Sequence, residues 1–148
     1  MPLKIAFAND HAALEMRPHL LEEMRRHKVE VLDLGTDESA SVDYPDFAQK
    51  ACDLVVRGEA DRAVLVCGTG IGISIAANKI KGIRCALCHD EFDAEMSRQH
   101  NDANALALRG RHFDPEMSRR ILRVWLETPF TSDDRHDRRI GKIMALEG

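Results

Sequence analysis

Ala63-Val64-Leu65-Val66-Cys67-Gly68-Thr69-Gly70-Ile71-Gly72 decides the fold. An apolar, valine-rich run with no polar alternation reads as a strand covered on both faces, and the glycines that follow break it abruptly. A helical pattern then begins near Ile71. Strand, glycine turn and helix together make half of a βαβ unit, so the neighbouring sequence is expected to supply more of them. It does. Short apolar runs at Leu3 to Ala8, Val29 to Leu34, Arg84 to Cys88 and Ala105 to Leu108 alternate with longer helical stretches. The expected architecture is a three-layer α/β/α, Rossmann-like, doubly wound five-stranded parallel sheet with a trailing C-terminal helix from about Asp133.

Two helices are marked clearly. Phe47, Ala51, Leu54 and Val55 share one helix face, Pro45 suits the first turn, and Gly58 ends the pattern. Asp114 and Pro115 read as N-cap and first helical position, with Met117, Ile121, Val124 and Trp125 as the stripe facing inward. Pro18 leaves two readings for the helix after the first strand, a kink or a late start. No repeat, linker or low-complexity stretch interrupts the pattern, so residues 1–148 are expected to form one domain.

Composition narrows the function. The net charge of -4 gives no reason to expect nucleic acid or an anionic membrane as partner, and an anionic ligand needs a local basic cluster. The N-terminus lacks the basic and apolar segments of a secretory signal, and no apolar run could span a bilayer. Cys52, Cys67, Cys85 and Cys88 are then expected to be reduced thiols in the cytoplasm.

Ligands of open parallel sheets bind beyond the carboxyl ends of the strands. Asp10 and His11 follow the first strand, Cys67 to Gly72 the third, and His89 and Asp90 the fourth. In Cys67-Gly68-Thr69-Gly70-Ile71-Gly72, alternate glycines let backbone N–H groups converge while the next helix adds its positive end, which suits an oxyanion. The Walker pattern is absent, since Ile73 and Ser74 follow Gly72. A dinucleotide fingerprint would follow the first strand, and a cysteine phosphatase would carry arginine where Ile73 stands. A thiol beside such a turn has its pKa lowered and can serve as a base, although a strand-end cysteine is by default a small buried hydrophobe.

The run from Cys67 through Ile73-Ser74-Ile75-Ala76-Ala77-Asn78-Lys79 resembles the signature of the ribose-5-phosphate isomerase B family. The resemblance extends to Asp10-His11, Gly35-Thr36, Asp43-Tyr44-Pro45, Ser97 through Asn104, and Arg135-His136 with Arg139, and so covers nearly the whole chain. It implies aldose–ketose isomerisation of a sugar phosphate with no metal or organic cofactor. It also implies a homodimer with its active site at the subunit interface, a dimer of dimers being the next level of assembly. Residue by residue, Cys67 matches the base that moves a proton from C2 to C1, and Ile73 marks the cysteine branch. Thr69 matches the hydroxyl that relays protons between substrate oxygens. The amides from Gly68 through Gly70 and Ile71 to Gly72 match the enediolate cradle, assisted by Asn101. Asp10 and His100 match residues for ring opening, and Tyr44 a ring lining the substrate.

For the phosphate, the candidates are His11, Arg111, Arg135 and Arg139, with His136 near them. Arg135 and Arg139 are four apart on one helix face, where guanidinium forks suit phosphate oxygens, although Asp133 to Arg139 also reads as a solvated charge run. Cys85 and Cys88 are three apart on a strand and point to opposite faces, so core packing is expected in place of metal or redox chemistry. Asp10, His11, His89, Asp90 and His100 could gather around a metal, but their number is matched by the sugar hydroxyls they would otherwise bind, and no metal is expected. Ala13 and Asp133-Asp134 stand where the family commonly has glycine. The rival readings are an isomerase of another sugar phosphate, such as allose 6-phosphate, galactose 6-phosphate or a four-carbon sugar, and a non-catalytic phosphate-ligand sensor.

Overall fold

The computed structural model describes residues 1–148. Its strands are β1 (Lys4–Asn9), β2 (Glu30–Asp33), β3 (Arg62–Cys67), β4 (Cys85–Leu87) and β5 (Ala105–Arg109). Its helices are α1 (Arg17–Arg26), α2 (Tyr44–Val56), α3 (Ile71–Asn78), α4 (Glu91–Gln99), α5 (Pro115–Glu127) and α6 (Asp134–Ala145). All strands pair in parallel, in the order β2-β1-β3-β5-β4. The five expected strands and the trailing helix are all present, within a residue or two at each end.

Strand residues alternate between two cores, as the period-two geometry of a strand requires. Ile5, Phe7, Val64, Val66, Leu106 and Leu108 meet Leu20, Met24, Ile121, Leu122 and Trp125 of α1 and α5. Ala6, Ala8, Ala63, Leu65, Cys67, Ala105 and Ala107 meet Phe47, Ala48, Ala51 and Cys52 of α2 and Ile73 and Ala77 of α3. The first face is built from large side chains and the second largely from alanine, so α2 and α3 can sit close to the sheet. Cys88 joins the first core and Cys85 flanks the second, which is the opposite-face placement expected of the C-x-x-C pair. Burial pushes the thiols of Cys52 and Cys88 up to about 12 and raises that of Cys85 as well.

Not every strand is covered on both faces. β1, β3 and β5 are, but β2 exposes Glu30 and Asp33 and β4 is only half-buried. The reason is position: both are edge strands, and the helix layers narrow toward the edges. Pro18 resolves as a late start, since α1 begins at Arg17 with Pro18 in its first turn, after a separate 3-10 turn at His11–Ala13. Asp114 caps α5 by accepting from the Glu116 amide at 3.1 Å, with Pro115 at the first helical position.

Candidate active site

The chain passes from β2 across β1 to β3, so a crevice opens between the carboxyl ends of β1 and β3. Asp10 leaves β1 and Cys67 ends β3 at this crevice. Gly70 is the hinge of the turn, with φ of +78°, and a Cβ there would lie 3.0 Å from the Leu108 carbonyl and 2.7 Å from Leu87 Cδ1. Only glycine satisfies both the angle and the space. The turn then enters α3, whose first amides have no acceptor within the helix. Outside regular elements, the amides of Gly68, Thr69, Gly70, Gly72 and Ile73 donate to no other group of the chain. Ile71 is the exception within the expected cradle: its N–H donates to Thr69 Oγ1 at 3.1 Å. That amide is committed to the turn, because a threonine two residues back can close its own ring of hydrogen bonds.

Backbone bonds bring the end of β5 against this turn. Gly110 donates to the Cys67 carbonyl at 2.8 Å and Arg111 to the Gly68 carbonyl at 3.0 Å. A Cβ on Gly68 would lie 3.5 Å from Ala12 and 3.7 Å from Arg111 Cδ, so Arg111, Ala12 and the turn are neighbours. His11, Arg111 and His112 line an open depression of about 570 Å³ beside them. His11 accepts the Val42 amide on Nδ1 at 3.1 Å, which leaves Nε2 as the protonated, outward donor of the neutral ring. Tyr44 opens α2 with its ring against the same turn, since a Cβ on Gly72 would stand 2.5 Å from its Cζ. Ala13, which stands where glycine is common in the resembled family, fits because residue 110 is glycine: a Cβ there would meet that of Ala13 at 2.7 Å.

Asp10 is 4% exposed and accepts the Ala12 amide at 3.0 Å. Burial pushes its carboxyl above the ordinary range, and the Ala12 amide, His11 and Arg111 pull back against that. Cys67 is also 4% exposed, packed on the α2/α3 face with its carbonyl toward Gly110.

The second group of expected residues lies elsewhere. In a parallel sheet each helix returns the chain to the amino edge, so α4 delivers His100 and Asn101 to the edge opposite Cys67. Arg84, just before β4, donates to the carbonyls of Asn101 and Asp102 there. A six-residue strand separates the two edges by about 20 Å. His136 joins them at that edge, its ring stacked on His100 with centroids 4.3 Å apart, and Arg135 Nη2 lies 3.3 Å from His136 Nε2. Arg139 is exposed on the same helix. Within one chain, therefore, His100, Asn101, Arg135, His136 and Arg139 do not gather around Cys67. His89 and Asp90, weighed as ligands, serve the start of α4: Asp90 accepts the Asp93 amide at 2.8 Å and the His89 amide donates to Asp93 at 3.1 Å.

Sequence reading passed over two supporting networks. Asn9, fully buried, donates to the carbonyls of Asp10 and Thr36 and accepts from Arg17, which also grips Asp33. Arg84 and Arg98 grip the turn after α4. The long-range contacts, Asn9 with Thr36, Arg17 with Asp33 and Arg84 with Asn101 and Asp102, join groups far apart along the chain and leave no motif.

Fold and site together define a doubly wound α/β protein with a glycine turn of uncommitted amides at the carboxyl edge of its sheet. Residues 5–143 match the family model described as Ribose/Galactose Isomerase. The chain is 41% identical over 144 residues to ribose-5-phosphate isomerase B of Escherichia coli, covering 97% of this chain and 96% of that one. It is 50% identical over 146 residues to YwlF of Bacillus subtilis, provisionally named a sugar phosphate isomerase, covering 98% and 97%. The solved type B ribose 5-phosphate isomerase of Trypanosoma brucei superimposes with a TM-score of 0.95 at 43% identity, covering 99% of both chains. The chain belongs to the Ribose/Galactose Isomerase family.

Proposed function

We propose that residues 1–148 form a single cytoplasmic sugar-phosphate isomerase domain interconverting a phosphorylated aldose and its ketose. Ribose 5-phosphate and ribulose 5-phosphate are the first pair, by analogy with the named relatives. The observation that carries this reading is the set of uncommitted amides at Gly68, Thr69, Gly70, Gly72 and Ile73, directly after a strand-end cysteine at the β1/β3 crevice.

Cys67, as thiolate, takes the proton from C2. The released pair forms the C1–C2 double bond and the carbonyl pair moves onto O1, giving an enediolate. The free amides of the turn stabilise that oxygen, and each such donor commonly contributes roughly 3 to 4 kcal/mol. Thr69 relays the hydroxyl proton from O2 to O1: its oxygen accepts the Ile71 amide, and its own O–H remains available to donate. The proton on Cys67 returns to C1 and O2 becomes the ketone, with no net oxidation. Asp10, its carboxyl raised by burial, is suited to carrying a proton during ring opening. His11 Nε2 and Arg111 receive the phosphate in the depression beside them.

His100, Asn101, Arg135, His136 and Arg139 enter from a second copy. α3 is apolar apart from Ser74 and Asn78, with Ile71 and Ile75 more than half exposed, and Ile143 of α6 and Leu146 just beyond it are also uncovered. A two-fold axis that sets α3 antiparallel to its copy brings the Gly70 turn of one protomer beside the Asn78 end of the other, next to the His100 turn. A homodimer with two shared sites follows.

The test is ketose formation from a panel of sugar phosphates by parent and Cys67→Ala protein, with binding measured alongside. Turnover on a five-carbon aldose phosphate, lost in Cys67→Ala while binding persists, supports the reading. A parent protein that binds sugar phosphates and turns none over is a sensor.

A further inference from the structure

We infer that Arg84 is a positioning residue for the half-site that this chain offers its partner, an inference resting on the reading of His100 and Asn101 given above. Helix α4 ends at Gln99, and its last carbonyls lack partners within the helix. The chain then turns through Asp102, which holds φ of +45°, a left-handed conformation that aspartate adopts more readily than most residues, and the turn is closed by the Asp102 amide donating to the Arg98 carbonyl at 3.3 Å and the Ala103 amide to the Ser97 carbonyl at 3.0 Å. Arg84 holds two peptide carbonyls of that turn. Its Nε donates to the Asn101 carbonyl at 3.0 Å and its Nη2 to the Asp102 carbonyl at 2.8 Å.

These two donors lie on one edge of a rigid plane, so they fix the orientation of two successive peptide units immediately after His100. The third nitrogen, Nη1, faces Met144 Sδ of α6 at 3.4 Å. One guanidinium thus touches the turn that carries His100 and Asn101 and the helix that carries Arg135, His136 and Arg139. Its backbone is pinned as well: the Arg84 amide donates to Asn104 Oδ1 at 2.7 Å, and its carbonyl accepts from Asn104 and Ala105. Arg98 supports the turn from the other side, donating to Asp102 Oδ1 at 2.9 Å and the Ala103 carbonyl at 2.8 Å, but it makes no bond to the peptide carbonyl of Asn101 or to α6. Lysine at position 84 would supply charge without the fork. It could grip one carbonyl and would leave the other without its charged donor.

The experiment compares Arg84→Ala, Arg84→Lys, His100→Ala and Asn101→Ala in the full chain, reading kcat, KM, sedimentation and the His100 imidazole NMR signals. Arg84→Ala is expected to remain dimeric, to lose kcat on the order of tenfold or more with a smaller change in KM, and to shift the His100 resonances. Millimolar guanidinium should restore much of that kcat while ammonium does not, and Arg84→Lys should stay impaired. Parent-level turnover in Arg84→Ala, with His100→Ala inactive, overturns the role of Arg84 alone. Parent-level turnover in both His100→Ala and Asn101→Ala overturns the shared-site reading and this inference with it. Should Arg84→Ala fail to assemble, Arg84→Lys decides: full kcat with unshifted His100 signals overturns the proposal, and a slow, dimeric Arg84→Lys with shifted signals upholds it.

Discussion

His136 lies flat against His100, ring centroids 4.3 Å apart and 19° from parallel, which ties the first turn of α6 to the last turn of α4. Asp133 holds the other side of that contact. It accepts the His136 amide at 2.7 Å as the N-cap of α6, and that bond keeps its carboxyl below the ordinary range. Asp133 therefore does here what a glycine could not. Asp133→Gly should loosen α6, seen as faster amide exchange across residues 134–138, and should raise KM for a sugar phosphate more than it lowers kcat. Unchanged exchange and kinetics would remove Asp133 from the site.

The opposed placement of Cys67 and His100 in one chain permits a sharper test. Cys67→Ala and His100→Ala proteins should each be inactive. Unfolding and refolding them together at equal concentration makes half of the dimers mixed, each with one intact site, so about one quarter of parental activity should return. No recovery, with mixed dimers demonstrated by mass, would place both residues in the same chain's site.

Gly72 is where the turn meets Tyr44. A methyl group at position 72 would overlap the tyrosine ring, 2.5 Å from Cζ and 2.7 Å from the hydroxyl oxygen. Gly72→Ala should therefore displace Tyr44 and reduce kcat/KM on the order of tenfold, a loss expected when a positioned group near the reacting atoms moves. Tyr44→Ala in the same chain should relieve part of the loss, since the clash needs both groups. Strict additivity of the two changes in kcat/KM would contradict this.

The Arg17–Asp33 pair gives a pH dependence of stability. Asp33's carboxyl is held below its ordinary range, chiefly by the Arg17 hydrogen bonds. A depressed carboxylate stabilises the fold above its unfolded pKa, and that contribution disappears as pH falls through the lower folded value. Urea unfolding of parent and Asp33→Asn protein should thus differ at pH 7, with the gap closing progressively below pH ~4. A gap that stays constant from pH 7 to pH 3 would show that the charge of Asp33 contributes nothing.

The strands, the two clearest helices, the cap at Asp114 and the glycine turn were all legible from residue order alone, whereas Asp133 marked only the approximate start of the last helix and its role as a cap did not show. Each depends on interactions within a few positions: valine-rich runs, proline after an aspartate, alternating glycines at a strand end. Cys67, Thr69 and the turn amides belong to that local class, and the structure brings Asp10, His11, Tyr44 and Arg111 to them. What residue order could not supply was which edge of the sheet each group occupies. That is fixed by the strand order and by the return of every helix to the amino edge, which carries His100 and Asn101 a strand's length away from the cysteine of their own chain. The grip of Arg17 on Asn9 and Asp33 and Arg84's hold on the turn after α4 were equally invisible. Side-chain donors find carbonyls by proximity in space, and nothing in the spacing of letters encodes it.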